Sequence, residues 1–186
     1  SNSDAVSAQY IGDSSLASDD ESFDINVKQL AAYQINTGNY LHPRSRLVKE
    51  GDYSFDLSIN NVTYEFQFSV ESSETLNNIQ NKLARLINRS NIGLTATIKE
   101  DSLGNTAINI ESEATGISGS SPVIFKIEPS QNSDKTDVSA NAALISTLGL
   151  DRVAQYPSNA IFNINDEERS SMNNLVTINK SYALEL

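Results

Sequence analysis

Cysteine is absent from all 186 residues. That excludes a disulfide framework, thiolate metal ligands and a cysteine nucleophile, and leaves the compartment open. Histidine is nearly as scarce. His42 stands alone in "LHPR", ahead of Pro43, so a multi-histidine zinc site is excluded and His42 reads as a loop or turn residue. Cations are the minority charge, 13 Lys and Arg against 24 Asp and Glu, for a net charge of -11. They are scattered, with no patch ready to neutralise phosphates, so nucleic acid is excluded as a partner and an anionic membrane surface would repel the chain. No run approaches the ~18 apolar residues of a membrane span, and no charged-then-apolar signal peptide opens the sequence.

Ser and Asn are plentiful, which favours turns and short elements over one large core. The clearest pattern is a hairpin. "DYSFDLSI" places Tyr53, Phe55, Leu57 and Ile59 on one face, and "VTYEFQFSV" repeats the alternation through Val62, Tyr64, Phe66, Phe68 and Val70. A two-residue turn at Asn60-Asn61 pairs Ile59 with Val62, Leu57 with Tyr64, Phe55 with Phe66 and Tyr53 with Phe68. Asn tolerates the positive φ that a type I′ turn requires at both central positions. A shift of one residue would bury charge, so the register is determined.

The next stretch, "ETLNNIQNKLARLINRSNIGLTATI", supplies a cover for that hairpin. Leu76, Ile79, Leu83, Leu86 and Ile87 recur at helical spacing, with Asn77, Gln80, Asn81, Lys82 and Arg85 on other faces. Ser72 or Ser73 is the expected N-cap, with Glu74 in the first turn; Asn91 or Gly93 ends the helix in the left-handed conformation. From Leu94 the period becomes two through Ala96 and Ile98. It resumes with Ile108 and Ile110, and again with Val123, Phe125 and Ile127. Residues 51–128 thus read as β-β-α-β-β-β, the helix lying on one face of a small antiparallel sheet.

Elsewhere, Phe23, Ile25 and Val27 alternate as a strand, and a weaker strand spans Val6 to Ile11 within a partly mobile first 22 residues. Leu30 to Tyr33 read as an irregular edge or a turn of helix. "NTGNYLHPRSR" and residues 129–140 read as loops, and "NAALISTLGL" as a short helix ended by Gly149. Strands are expected at 160–165, 174–178 and 181–186. The fold class is α+β, mostly β, in two small β-rich lobes. A discontinuous one, 1–48 plus 151–186, holds an inserted one, 49–150.

Little here looks ready to do chemistry. Asp19, Asp20 and Glu21, and Asp166, Glu167 and Glu168, are runs of acids that read as solvated hairpin tips, since a linear run cannot place two carboxylates across a cleft. "DSLGN" lacks the ligand pattern of a calcium loop, and no GxSxG, Walker or dinucleotide fingerprint occurs. The reading is non-enzymatic, with no cofactor and no metal. Glycosylation sequons at Asn61, Asn88 and Asn179 match by chance in so Asn- and Ser-rich a chain. Tyr10, Tyr33, Tyr40 and Tyr156 lie outside the regular strands, and ordinary packing is favoured over a glycan-stacking surface.

The segment Leu76 to Ile98 resembles the flagellin IN motif, in which a short helix ends in Ile-Asn, here Ile87-Asn88, and a Gly-Val-like step, here Gly93-Leu94, leads into a strand. Three flanking segments are similar to one family within that group, the flagellar filament-capping proteins, also called hook-associated protein 2. They are "SFDINVKQLAAYQ" with Val27, Gln29, Leu30 and Ala31; "ESEATG" from Ser112 to Thr115; and "NAIFNINDEERSSMNNLVTI" with the closing "YALEL". The family's usual Gly after the inner strand is replaced here by Asp166, which puts the local turn geometry in question.

The resemblance implies the middle, β-rich portion of a longer protein that caps the distal end of the bacterial flagellum and promotes flagellin assembly. It implies an extracellular location reached without a cleaved signal peptide, flagellin as partner, and self-association into a ring through regions mostly outside this chain. Host-surface glycans are a further implied partner. Interaction loops are expected at 36–46 (Asn39, Tyr40, His42, Arg44), at the 101–105 tip (Ser102, Asn105) and at 129–139 (Asn132, Asp134). The rivals are the variable outer region of a flagellin or hook-filament junction protein and, from another class, a host glycan- or mucin-binding adhesin module.

Overall fold

Alternating apolar residues set several of the strands in this computed structural model, which describes residues 4–12, 22–132, 134–179 and 181–186. In chain order the elements are β1 (Ser7–Tyr10), β2 (Ile25–Gln29), β3 (Tyr33–Thr37), β4 (Gly51–Ile59), β5 (Val62–Val70), α1 (Leu76–Ser90), β6 (Leu94–Glu100), β7 (Thr106–Thr115), β8 (Phe125–Pro129), α2 (Val138–Leu148), β9 (Val153–Gln155), β10 (Ala160–Ile164), β11 (Glu167–Ser171), β12 (Leu175–Ile178) and β13 (Tyr182–Glu185). The class is α+β, mostly β, as expected. The acidic run Asp19, Asp20 and Glu21 lies outside the described residues.

Two compact units divide the chain. The inserted unit comprises Gln34–Glu113 and Val123–Tyr156; the flanking unit comprises Ser1–Tyr33, Ala114–Pro122 and Pro157–Leu186. The boundaries thus fall at Gln34 and Tyr156 where the sequence reading drew them at 49 and 150, and the loop after β7 sits with the flanking unit. The shift follows from β3, which adds to β7 and carries the chain into the inserted unit earlier than its apolar pattern suggests.

In the inserted unit, Asn60 and Asn61 take φ of 54° and 61°, the positive values of the type I′ turn. The register that follows is the expected one, Ile59↔Val62, Leu57↔Tyr64, Phe55↔Phe66 and Tyr53↔Phe68. The single small sheet expected here is, however, two sheets, with strand orders β5-β4-β8 and β6-β7-β3-β9. Both contribute to one core with α1 and α2, around Phe55, Leu57, Leu76, Ile79, Leu83, Ile87, Ile108, Ile110, Phe125 and Leu148. Splitting the strands between two sheets allows β7 to be buried from Thr106 through Ile110, on both of its faces.

The helix caps differ in detail from expectation. Thr75, not Ser72 or Ser73, is the N-cap of α1, and it forms a capping box with Asn78. Glu74 precedes the cap, accepts from the Glu71 N–H at 2.9 Å and pairs with Lys82 Nζ at 2.7 Å. Asn91 ends the helix in the left-handed conformation, φ 53°. Gln80, assigned from spacing to an outer face, is buried, because Thr106 offers it partners in both directions. Asp137 caps the start of α2, and Gly149, φ 68°, ends it as expected.

Among the described residues the flanking unit has two small antiparallel sheets, β1-β13-β12 and β11-β10-β2. Its core is small: Ala31, Ala160 and Phe162, with Val27, Ile164, Val176 and Leu186 packed against them. The turn from β10 to β11 is Asn165-Asp166, at φ 47° and 65°, so two side chains that tolerate positive φ replace the glycine expected there.

Candidate interaction surfaces

The Ile87-Asn88 corner shows what its residues are for. Ile87 and Leu94 are buried, on the helix and on the strand that follows. Asn88, exposed as a residue, directs its amide at the backbone of Ala96, accepting from N–H at 2.7 Å and donating to C=O at 2.9 Å. Ala96 lies opposite Ile110 in the β6–β7 ladder, and β6 is the edge strand. The carboxamide therefore stands in for a missing neighbouring strand. Gly93, at φ 88°, makes the step into β6, and its C=O accepts from Glu113 N–H at 2.9 Å. Asn88→Ala should cost about 1–3 kcal/mol by stripping both partners from Ala96. Asn88→Asp, which keeps the acceptor alone, should fall between. Urea unfolding and hydrogen exchange at the Ala96 amide measure both.

The same device recurs with other residues. Asn174 accepts from Ala31 N–H at 2.7 Å and donates to its C=O at 3.2 Å. Gln34, fully buried in β3, accepts from Phe125 N–H at 3.1 Å and from Ile124 N–H at 2.7 Å, and donates to Phe125 C=O at 3.0 Å. A sequence reading that treats Asn and Gln as turn or surface residues misses these clamps, because polarity alone does not distinguish an amide facing water from one facing backbone.

Two of the expected contact loops come together. Leu41 and Thr106 exchange backbone hydrogen bonds, which seats the 39–46 loop beside the 101–105 tip. Within the loop, Tyr40, His42 and Arg44 are exposed, whereas Asn39 is turned inward: its amide donates to the Ser146 and Thr147 carbonyls that end α2. The carbonyls of Pro43 and Ser45 accept from Asn77 and Leu76 N–H, so this loop also closes the start of α1. At the tip, the Asp101 carboxylate accepts from the Leu103 and Asn105 N–H groups, each at 2.9 Å. Those bonds, the one from Asn105 N–H foremost, hold its pKa below the usual carboxylate range. Asn105 is thereby structural, Ser102 is exposed, and Leu103 projects at 84% exposure from a tied turn.

The third loop lies over the polar face of β4 and β5. Ser130 and Lys135 reach Glu65, and Thr136 and Asn141 bond to Ser54. Asn132 is half-buried and its carbonyl accepts within the loop; Asp134 is exposed. Beneath this loop runs a row of carboxylates that the sequence reading passed over. Asp56 lies opposite Glu65 on one side and Glu128 on the other. The hairpin register alone already opposes Asp56 to Glu65.

Burial pushes the Asp56 carboxyl above its usual range; its hydrogen bond with Ser130 opposes this and the two neighbouring carboxylates add to it. Glu65 moves the other way, held low first by the Gln67 amide and also by Lys135. Because the folded state disfavours ionised Asp56, the group costs stability above its folded pKa. That cost disappears as pH falls through the folded pKa toward the unfolded value. Asp56→Asn should therefore raise the denaturation midpoint at neutral pH, with the gain shrinking under acid; urea titrations between pH 4 and 8 read it.

The remaining candidates are accounted for by packing or pairing. Tyr10 ends β1 and packs edge-on to Tyr182 at 5.2 Å, and Tyr33 opens β3, so of the four only Tyr40 and Tyr156 lie outside the strands as expected; Tyr33, Tyr40 and Tyr156 are exposed. Of the second acidic run, Asp166 forms the turn, Glu167 pairs with Arg169 and Glu168 with Lys28. An open groove of about 650 Å³ in the flanking unit is walled by Phe162, Ile164, Glu167, Arg169, Leu175 and Ile178. Among the described residues no cluster of His, Asp or Glu is placed to hold a metal ion.

An α+β unit with an Asn-clamped helix-to-strand corner, inserted in the sequence of a β-rich flanking unit, is thus the class of protein defined here. No protein-family model matches the sequence, and no curated protein matches it. Solved structures do. The D2-D3 domains of the flagellar cap protein FliD from Escherichia coli align over 100% of this chain and 89% of theirs, with TM-score 0.64 and 16% identity. The E. coli D1-D2-D3 domains align over 100% of this chain and 52% of theirs, with TM-score 0.66 and 18% identity. FliD (HAP2) from Pseudomonas aeruginosa PAO1 aligns over 98% of this chain and 78% of its own, with TM-score 0.64 and 16% identity. This chain therefore has the fold of the D2-D3 region of flagellar caps, and the resemblance read from Ile87-Asn88 and Gly93-Leu94 holds at the level of fold.

Proposed function

We propose that this chain is the middle portion of a flagellar filament cap, positioned at the distal end of the filament, where it promotes assembly of flagellin. The observation that carries this reading is the alignment of both units, in one chain order, with the D2-D3 domains of a cap protein over the whole of this sequence. The role is structural, without catalysis. Flagellin is the partner, and the ring that would hold several copies forms through regions mostly outside this chain. Under this reading the exposed residues Tyr40, His42, Arg44, Ser102 and Leu103 form a contact surface, and Asn39 and Asn105 hold it in shape. Asn132 and Asp134 belong to a second surface over the acidic row.

Deletion of the gene tests the reading. Filaments should fail to elongate while flagellin appears in the medium as monomer, and the full-length gene should restore them. Normal filaments in the deletion strain would overturn it.

A further inference from the structure

The edges of the inserted unit's sheets are not treated alike. At β8 the Gln34 amide occupies the N–H and C=O of Phe125, and at β6 Asn88 occupies those of Ala96. Among the described residues, β5 ends the sheet β5-β4-β8 on the other side, with β4 as its one neighbour. Its two-residue turn makes Ile59 and Val62 a hydrogen-bonded pair. The alternation of the antiparallel ladder then turns the backbone groups of Val62, Tyr64 and Phe66 toward β4 and those of Thr63, Glu65 and Gln67 outward. Val62 through Glu65 are all exposed. Farther along, the Ser69 carbonyl is occupied by Lys82 Nζ at 2.6 Å, so the open stretch is Thr63 to Gln67.

An unblunted edge of this kind is a template for another strand. Its two margins state what that strand must look like. On the core side stand Val62, 46% exposed, Tyr64, 37% exposed, and half-buried Phe66. On the other side the row Glu128, Asp56, Glu65 crosses the sheet and ends at this edge. Lys126 at 2.7 Å and Lys135 at 3.7 Å offset it from within, which leaves more acid than base. Pairing with β5 of a second copy, centred on the open stretch, would set Glu65 against Glu65 and lengthen the row of like charge. We propose that the outer edge of β5 accepts, as an added strand, an extended segment of a partner polypeptide whose side chains alternate between apolar residues and Lys or Arg. This surface goes beyond the cap reading and does not depend on it.

The probe is an acetylated, amidated heptapeptide, Lys-Val-Lys-Val-Thr-Val-Lys, added to the protein. Controls are a peptide of the same composition with the valines contiguous and a version with Glu for Lys. Saturable binding of the alternating cationic peptide is expected, with new exchange protection at the amides of Thr63, Glu65 and Gln67. Glu65→Pro removes an outward donor and the carboxylate at the edge without touching the ladder, and should weaken binding by about tenfold or more, one hydrogen bond together with one charge. Should that variant not fold, Val62→Lys with Tyr64→Lys, both at exposed positions, should abolish binding. Absence of binding, equal binding of either control, or protection at other amides would overturn the proposal. So would a peptide-free dimer that protects the same three amides, which would assign the edge to self-pairing.

Discussion

Gln34→Leu should cost the inserted unit about 3–5 kcal/mol, although it puts an apolar side chain of similar size into a fully buried position. The reason lies in what Gln34 leaves behind. Phe125 faces Ile59 across the β4–β8 ladder, and Ile59 spends its own backbone groups on Val62 across the turn. The N–H and C=O of Phe125 therefore point away from β4, where the Gln34 carboxamide meets both. Ile124 N–H and the side-chain oxygen of Asn36 also bond to it. Leucine supplies none of these bonds, and each buried group left unpaired costs about 1–3 kcal/mol. Urea unfolding measures the loss, and hydrogen exchange at Ile124 and Phe125 should quicken beyond the global change. A cost under about 1 kcal/mol would mean that these groups find water or new partners instead.

The same residue explains why part of the fold was illegible in the sequence. Hydrophobic periodicity located β4, β5, α1, β6, β7 and β8, because their inward side chains are apolar. In β3 the inward positions are Gln34 and Asn36, both buried, and the half-exposed Ile35 faces the other way. The alternation is present with its signs reversed, so a strand reads as a loop. β11 escapes for another reason: "EERSS" is an exposed edge held by β10 and has no inward face to pattern. β9 is three residues long and offers too little to read. Of the interaction surfaces, the corner residues were legible as a motif while their mechanism was not. The amide of Asn88 acts on a backbone eight residues away, a relation that spacing cannot show. The acidic row was half visible in the hairpin register and needed β8 beside β4 to become a row.

Phe55→Ala should be the most damaging single apolar truncation, at about 3–5 kcal/mol. Phe55 sits on the central strand of its sheet with no solvent exposure. Its ring stacks on Phe66, centroids 5.1 Å apart and planes within 7°, and meets Phe68 edge-on at 6.4 Å. Truncation removes the transfer free energy of the ring and leaves a cavity that strands held on both sides cannot close. It also deletes two aromatic pairs, each contributing about 0.5–1.5 kcal/mol beyond area. Against a typical domain stability of about 5–15 kcal/mol, that loss brings the inserted unit close to unfolding at working temperature. Phe55→Leu keeps most of the volume and should cost less than half as much. Thermal melts should show the Ala variant unfolding well below the Leu variant. The flanking unit has its own core around Phe162, so its exchange-protected amides should change little. Equal loss of protection in both units would mean instead that they unfold together, and that Phe55 supports the whole chain.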